Sequence, residues 1–111
     1  MMQNKNEIIR VWKGWTKKEK ANLYLEFLEK EVFPNVKKKG VAGLRTVSIS
    51  TQGMKDEVEF LLVLRFDSLE SVKSFAGENY HNAYIPDKAK QILSRYEKTA
   101  RHYEFKKELV L

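Results

Sequence analysis

The chain of 111 residues has no cysteine, only two histidines and two prolines, and no apolar run of membrane-spanning length. Without cysteine it has no disulfide framework, no thiolate zinc site and no thiol nucleophile. Two histidines far apart in the sequence do not make a zinc site, so we expect no metal. The N-terminus MMQNKNEIIR lacks the apolar core of a signal peptide, which predicts a cytoplasmic protein with no membrane partner.

The formal charge of +6 is spread along the chain, because 21 basic residues are interleaved with 15 acidic ones. The densest basic run, VKKKG at 36–40, falls where a helix is predicted to end, and lysines there complement the helix dipole. We therefore expect no nucleic-acid partner. An apolar content of 42% and an aromatic content of 12% predict one folded domain over residues 1–111, with its core at about residues 7–106.

The first half of the chain predicts a strand, a helix and a second strand. Glu7–Trp15 has the β-branched and aromatic residues of a strand. Thr16 and Glu19 have the spacing of a capping box, which predicts a helix that begins there and ends near Gly40. The apolar stripe of this helix comprises Ala21, Tyr24, Leu25, Leu28 and Val32. Gly43–Thr51 alternates apolar and polar residues, as a half-buried strand does.

Glu57–Phe66 is predicted as the third strand, and its residues 60–64 are apolar without interruption. Because successive side chains of a strand point to opposite faces, both faces of this strand are apolar and both need cover. Asp67 and Glu70 then have the spacing of a second capping pattern, which predicts a short helix.

The short helix should end at Ala76, because Gly77 can adopt the positive φ of a helix C-terminus. Pro86 suits the first turn of a third helix. The apolar stripe of that helix comprises Ala89, Ile92, Leu93 and Tyr96. Thr99–Lys106 is predicted as the last strand. This order predicts an α+β, ferredoxin-like split βαβ fold, a four-stranded antiparallel sheet with helices on one face.

The helices of such a fold cover one face of the sheet only, so the second apolar side of the third strand stays uncovered. A second copy of the same sheet is the simplest cover. We therefore expect a homodimer formed through the open sheet face.

Three stretches carry a resemblance to a known family: VWKGW in the first strand, RFDSLESVKSFAGENYHNAYIP after the third, and ARHYEF in the last. In this order they resemble the antibiotic biosynthesis monooxygenase family of dimeric α+β barrels, over about residues 8–105. The resemblance implies a ligand pocket between sheet and helices. Some members of that family oxygenate quinol-like compounds without metal or flavin, others degrade haem, and many have no assigned reaction.

Oxygenation without a cofactor needs a base, hydrogen bonds to the resulting oxyanion and a dry cavity. His81 is the candidate base, because the unperturbed pKa of histidine lies nearest neutrality. Asn79 and Asn82 could hydrogen-bond the substrate oxygen, and Tyr80 or Tyr84 could contact its ring. The alternative for His81 is an exposed or capping residue in a polar connection between helices.

Four further residues are candidate ligand contacts. Trp12 could form an aromatic pocket wall with Phe75, or could pack in the core or the dimer interface. Arg65 could bind an anionic ligand group or form an ion pair with an acidic side chain. His102 could be a second base or a satisfied structural group.

Haem is disfavoured by residue matching. The haem-degrading members are similar in carrying an asparagine in the first strand, a tryptophan late in the second helix and a histidine in the next. Here the first strand has no asparagine, Phe75 takes the tryptophan's place and Tyr84 about that of the histidine. Glu78 and His81 have the spacing of half a di-iron site, but the other half is missing. No cofactor is expected.

The leading functional hypothesis is a small homodimer that binds, or oxygenates without a cofactor, a small aromatic or quinol-type metabolite. The alternative is a non-catalytic ligand-binding or stress-response barrel, and a third is a structural dimer whose pocket is filled by Tyr80 and Tyr84. A cavity near His81 that is lined by Trp12 or Phe75 would favour the first two.

Overall fold

The computed structural model describes residues 6–111, which form a five-stranded antiparallel sheet with helices on one face. The strands are β1 (Ile8–Lys17), β2 (Leu44–Gly53), β3 (Glu57–Phe66), β4 (Leu93–Tyr96) and β5 (Arg101–Glu104). The helices are α1 (Ala21–Phe27), α2 (Phe33–Lys38), α3 (Leu69–Ala76) and α4 (Asp87–Ile92). A 3-10 turn at Lys18–Lys20 precedes α1, and a π-helical segment at Leu28–Val32 joins α1 to α2.

The sheet has the strand order β2-β3-β1-β4, and β5 also pairs with β1. β1 pairs with β3 along its whole length. β4 pairs with Gly14–Thr16 and β5 with Ile8–Val11, so two short strands share the second edge of β1. The α+β ferredoxin-like fold is therefore confirmed, except that the sheet has a fifth strand, β4, formed by residues that were predicted as part of the third helix.

Glu97 bridges the gap between β4 and β5. Its backbone N–H donates to the carbonyl oxygen of Lys13 (3.0 Å), and its carboxylate Oε1 accepts from the backbone N–H of Lys13 (3.1 Å). The carbonyl oxygen of Glu97 accepts from the indole Nε1 of Trp12 at 2.7 Å. The segment between β4 and β5 thus supplies the acceptor that fixes the Trp12 side chain.

The core lies between the sheet and the helices. The two central strands contribute Ile8, Arg10, Trp12, Gly14 and Thr16 of β1 and Phe60, Leu62, Leu64 and Phe66 of β3. From the helical layer, Tyr24 packs edge-on against Phe60, with ring centroids 4.9 Å apart. Full burial of an aromatic side chain such as Phe60 contributes roughly 1.5–3 kcal/mol to stability.

The opposite side of the sheet, here named the open face, carries half-buried apolar side chains. They are Ile9, Val11 and Trp15 of β1 and Leu61 and Val63 of β3. The prediction that both sides of the third strand are apolar is therefore confirmed. Cover of the open face by a second copy stays a prediction.

The first predicted helix begins later than expected. β1 continues to Lys17, and Thr16 is a fully buried strand residue paired with both neighbouring strands. The capping box of Thr16 with Glu19 is therefore wrong. The buried stripe also differs, because Leu25 is exposed whereas Phe27, three residues after Tyr24, is buried.

The predicted cap of α3 by Asp67 and Glu70 is wrong as well. Ser68 is the capping residue, and its hydroxyl accepts from the backbone N–H of Ser71 at 3.2 Å. The Asp67 carboxylate instead binds Arg45 at 2.6 Å. Asp67 and Ser68 are adjacent, and both residue types can cap a helix. Because Asp67 forms the ion pair with Arg45, Ser68 is the cap.

The third predicted helix is shorter than its apolar stripe. α4 ends at Ile92, and Leu93 takes extended φ and ψ of −74° and 138° to begin β4, which continues to Tyr96. A short apolar run such as Ile92–Leu93 can belong either to the buried side of a helix or to the start of a buried strand. Here Leu93 is a strand residue because it pairs with Thr16 of β1. The last strand, predicted as Thr99–Lys106, is shorter and comprises only Arg101–Glu104.

The predicted end of α3 is confirmed. Gly77 follows its last residue with a φ of +90°.

Within residues 6–111 no helix combines the length and apolar character that a membrane crossing requires.

Candidate functional site

An apolar cavity of about 40 Å³, here named the inner cavity, lies between the sheet and the helices. Its lining residues are Arg10, Trp12, Tyr24, Leu28, Val32, Phe33, Leu62, Leu64, Phe75, Tyr84, Ile85, Pro86 and Ala89. Space of this size holds a few water molecules at most. A ligand with an aromatic ring must therefore displace part of the wall.

Phe75 and Tyr84 are the part of the wall best placed to move. Their ring centroids lie 5.7 Å apart, and both also border a second space of about 190 Å³, here named the outer cleft. The other residues of the outer cleft are Val36, Lys39, Gly40, Val41 and Ser74. Tyr84 borders both spaces and is 46% exposed, and exposed side chains change rotamer rapidly.

Trp12 is held in the cavity wall by its neighbours on β1 and by the strand break. Gly14 lies two residues further along the strand and so shares its face. A Cβ atom at Gly14 would lie 2.5 Å from Cη2 of Trp12, so the glycine leaves room for the indole ring. The room left by Gly14 and the hydrogen bond to Glu97 together fix the Trp12 ring in the cavity wall, where an aromatic wall was predicted.

Arg10 is the charged residue of the inner cavity lining and is only 3% exposed. Its Nη1 donates to the carbonyl oxygen of Tyr80 (2.6 Å), and its Nη2 donates to that of Asn82 (3.1 Å). Its guanidinium carbon lies 5.4 Å from the centre of the Phe75 ring. Burial lowers the pKa of Arg10 to about 10, so the side chain still carries its charge at neutral pH.

His102 is the third acceptor of Arg10, with Nε2 3.1 Å from Nη1. Because a guanidinium group can only donate, Nε2 must accept and the ring proton lies on Nδ1. Nδ1 is buried and has no hydrogen-bond partner in the described part of the chain. Burial, then the charge of Arg10 and then His81 lower the pKa of His102 to about 4, so the ring is neutral at pH 7.

Replacing His102 by glutamine should flatten the pH dependence of stability. The pKa of His102 is lowered from 6.5 to about 4 in the folded state, so its stabilising contribution is full above pH 6.5 and is lost as the pH falls towards 4. Between pH 7 and pH 4 the wild type should lose about 1–2 kcal/mol more than His102→Gln, allowing for screening of a partly exposed ring. Urea denaturation at several pH values measures this difference. Parallel pH profiles for the two proteins would contradict it.

The segment around His81 forms a cluster beside Arg10, not the cavity wall. The His81 carbonyl accepts from the backbone N–H of Ala100 at 2.8 Å, while its side chain is exposed. Its ring lies 4.4 Å from that of Tyr80 and 5.6 Å from that of His102, centroid to centroid. None of the three rings borders the inner cavity.

The two asparagines lie at the surface. Asn79 and Asn82 are exposed, and the backbone N–H of Asn82 donates to the carbonyl of Asn79 at 3.0 Å. Asn82 also forms an isolated β-bridge with Thr99. The backbone of this segment, rather than its side-chain amides, contacts the residues of the cavity, through Arg10.

Arg65 does not belong to the pocket between sheet and helices. It pairs with Ile9 on the open face and forms an ion pair with Glu7. Its guanidinium also stacks on the Phe105 ring at 4.9 Å. Arg65 therefore forms the ion pair that was the alternative to ligand binding. It does not line the pocket in which it was expected to contact a ligand.

Sequence reasoning missed Arg10 and Tyr24. The signal for Arg10 was present in β1, because it alternates with Ile8 and Trp12 and therefore shares their buried face. For Tyr24 the signal was its place in the apolar stripe of the predicted helix. Burial raises the pKa of the Tyr24 hydroxyl, so it stays protonated at neutral pH.

Within the described residues, no histidine or carboxylate borders the inner cavity. Its titratable lining residues are Arg10, Tyr24 and Tyr84. Nor does this part of the chain contain a group of three or more histidine, cysteine or acidic side chains that could hold a metal ion. The cavity lining is therefore apolar apart from the guanidinium group of Arg10 and the hydroxyl groups of Tyr24 and Tyr84.

Fold and cavity together define a ferredoxin-like α+β protein with an apolar pocket between the sheet and its helices. The chain is similar in structure to a Bacillus cereus protein provisionally assigned as an antibiotic biosynthesis monooxygenase, with a TM-score of 0.66 and 18% sequence identity. The match covers 96% of this chain and 99% of that one, so the predicted resemblance is confirmed for the fold. No protein-family model matches the chain, and no curated protein matches its sequence.

Proposed function

We propose that this protein is a cytoplasmic homodimer that binds a small aromatic or quinol-type metabolite in the inner cavity. The observation that carries the proposal is the lining itself, in which Trp12, Phe75 and Tyr84 form aromatic walls and Arg10 supplies one buried charge. Apolar walls with a few polar groups are usual for small-molecule sites. Of the two tyrosines that a purely structural role would place in this space, Tyr84 borders it and Tyr80 does not.

Ala89→Leu should weaken binding of any ligand of this cavity by roughly 10-fold or more, because an overfilled site loses its fit. Ala89 is buried in α4 and lines the cavity, so three added carbon atoms would occupy the space of about 40 Å³. A thermal-shift screen of quinols and flavonoids first finds a ligand, and titration of Trp fluorescence then gives the affinities. Ala42→Leu, at an exposed position outside the lining, is the matched control. Unchanged affinity in a folded Ala89→Leu variant would remove the inner cavity from the proposal.

Oxygenation of the bound metabolite is the second candidate, and the likeness to the Bacillus cereus protein supports it. No base borders the cavity within residues 6–111, so a substrate would have to lose its proton before it binds. Oxygen uptake by the metal-free wild type in the presence of a bound quinol separates the two candidates. Uptake that His81→Ala abolishes at unchanged affinity would make His81 the base, and binding without uptake supports the non-catalytic alternative.

The homodimer proposal is supported by the composition of the open face. Its apolar centre, around Val11 and Val63, is flanked by ion pairs, among them that of Lys13 with Glu59 at 3.8 Å. An apolar centre with a polar rim is the usual composition of a protein–protein interface. Light scattering at micromolar concentration should give twice the mass of the chain.

A further inference from the structure

We propose that the ligand is an anion, with its apolar ring in the inner cavity and its charged oxygen on the guanidinium group of Arg10. This inference rests on the proposed function, because it assigns the chemical class of ligand to the same cavity. The class is an aromatic compound with one ionised oxygen group, such as a carboxylate or an acidic phenol or enol.

The first observation is that Arg10 has no carboxylate partner among residues 6–111. The other four arginines of the chain all have one, in the pairs Arg45–Asp67, Arg65–Glu7, Arg95–Glu57 and Arg101–Glu97. Those four lie at the surface or on the open face, whereas Arg10 is 3% exposed. A buried charge without an opposite charge is costly, and that cost is removed when an anion binds beside it.

The second observation is that the donors of Arg10 are not used up. A guanidinium group has five N–H donors, and three of them reach Tyr80, Asn82 and His102. Nε–H and the second N–H of Nη2 have no acceptor in the described part of the chain. Two such donors can hold one oxygen or both oxygens of a carboxylate.

A purely structural role explains only part of this arrangement. Arg10 does hold the segment at residues 80–82 through two carbonyl oxygens. Neutral donors would satisfy carbonyls without the cost of a buried charge. That role also gives no reason for Arg10 to border a cavity whose other walls are apolar.

The lack of a base gives the third observation. Since no histidine or carboxylate of residues 6–111 borders the inner cavity, a bound acid would have no group to take its proton. The ligand must therefore already be ionised in neutral water. This requirement excludes simple phenols, which are neutral at that pH, and favours carboxylates and the more acidic hydroxyquinones.

The test compares charged and neutral probes of nearly equal shape on the wild-type chain. The anions are 2-naphthoate and ionised 2-hydroxy-1,4-naphthoquinone, and their neutral counterparts are 2-naphthamide and 1,4-naphthoquinone. Because hydrogen bonds to charged groups are the stronger ones, each anion should bind roughly 10- to 100-fold more tightly than its counterpart. Isothermal titration calorimetry measures all four, and the two pairs distinguish carboxylate from enolate recognition.

Arg10→Gln should remove this preference. We expect anion affinity to fall to that of the neutral probe, while the neutral probe binds within about threefold of its wild-type affinity and so reports an intact cavity. Arg65→Gln, on the open face, is the control and should change neither affinity.

The outcomes separate the two proposals. If wild-type protein binds neither kind of probe, the proposed function fails and the anion inference fails with it. If it binds charged and neutral probes equally, the cavity proposal stands and the anion inference is overturned. If Arg10→Gln does not fold, the wild-type comparison alone decides.

Discussion

Replacing Gly43 by alanine is expected to lower the free energy of unfolding by about 3 kcal/mol, through backbone strain and steric overlap together. Gly43 has φ +88°, a conformation that costs a side-chain-bearing residue roughly 1–2 kcal/mol. The new Cβ would also lie 2.0 Å from Oγ and 2.8 Å from Cβ of Ser71, an overlap that costs roughly 1–3 kcal/mol. Urea denaturation, followed by circular dichroism, measures the change.

The chain offers two glycines that separate strain from overlap. Gly40 has φ +68°, but a Cβ atom there would have nothing within 4 Å, so Gly40→Ala should cost only the conformational strain of about 1 kcal/mol. Gly53 has neither feature, and Gly53→Ala should be nearly neutral. In the double variant Gly43→Ala/Ser71→Gly, the part of the lost stability that is due to the steric overlap should be restored. Equal losses for Gly43→Ala and Gly40→Ala would show that Ser71 is not the cause.

Gly43 matters for the site because it lies where β2 begins and α3 starts. Its carbonyl oxygen accepts from the backbone N–H of Asp67 at 2.8 Å, and Ser71 belongs to the first turn of α3. α3 also carries Phe75, which borders both the inner cavity and the outer cleft. Displacement of Ser71 in Gly43→Ala should therefore weaken ligand binding as well as stability.

Val63→Glu is expected to convert the proposed homodimer into a monomer at micromolar concentration. Val63 lies at the middle of the open face, where it pairs with Val11 on one side and Ser48 on the other. A carboxylate buried there without a partner costs several kcal/mol in the dimer, which corresponds to a dimer dissociation constant at least about 100-fold higher. Light scattering over a concentration series measures the mass.

The monomeric variant should remain folded, because the open face of a single chain is already in contact with water. Near-ultraviolet circular dichroism checks that its core is intact. Leu23→Glu, at a position 51% exposed on α1, is the control and should keep the dimer mass. A wild-type mass equal to one chain would rule out the dimer, whatever the variant does.

Local chemistry was sufficient to predict some elements. β3 was predicted with its observed bounds around an uninterrupted apolar run, and the end of α3 follows from the φ that Gly77 adopts. Thr16 and Leu93 were misplaced because each suits two local structures. In both cases pairing with a neighbouring strand decides, and that depends on residues far away in the sequence.

The site was predictable where burial and residue type coincide. Trp12, Phe75 and Tyr84 were expected in the pocket and border it. Arg65 lies on the open face, and which face of the sheet the helices cover cannot be read from its strand alone. Arg10 was missed because a charged residue in a strand normally faces water, and its lack of an acidic partner appears only in three dimensions.

The central position of β1 has a consequence for how the chain is made. β1 is synthesised before the other four described strands, yet its second edge is covered by β4 and β5, which are synthesised after β2 and β3. The acceptors of Arg10 likewise come from residues 80, 82 and 102. While the chain emerges from the ribosome, one edge of β1 and a charged side chain have no partners, and such non-local pairing forms slowly. The contacts that hold Arg10 at the inner cavity are therefore among the last to form, and a chain truncated before β5 would lack the contact with His102.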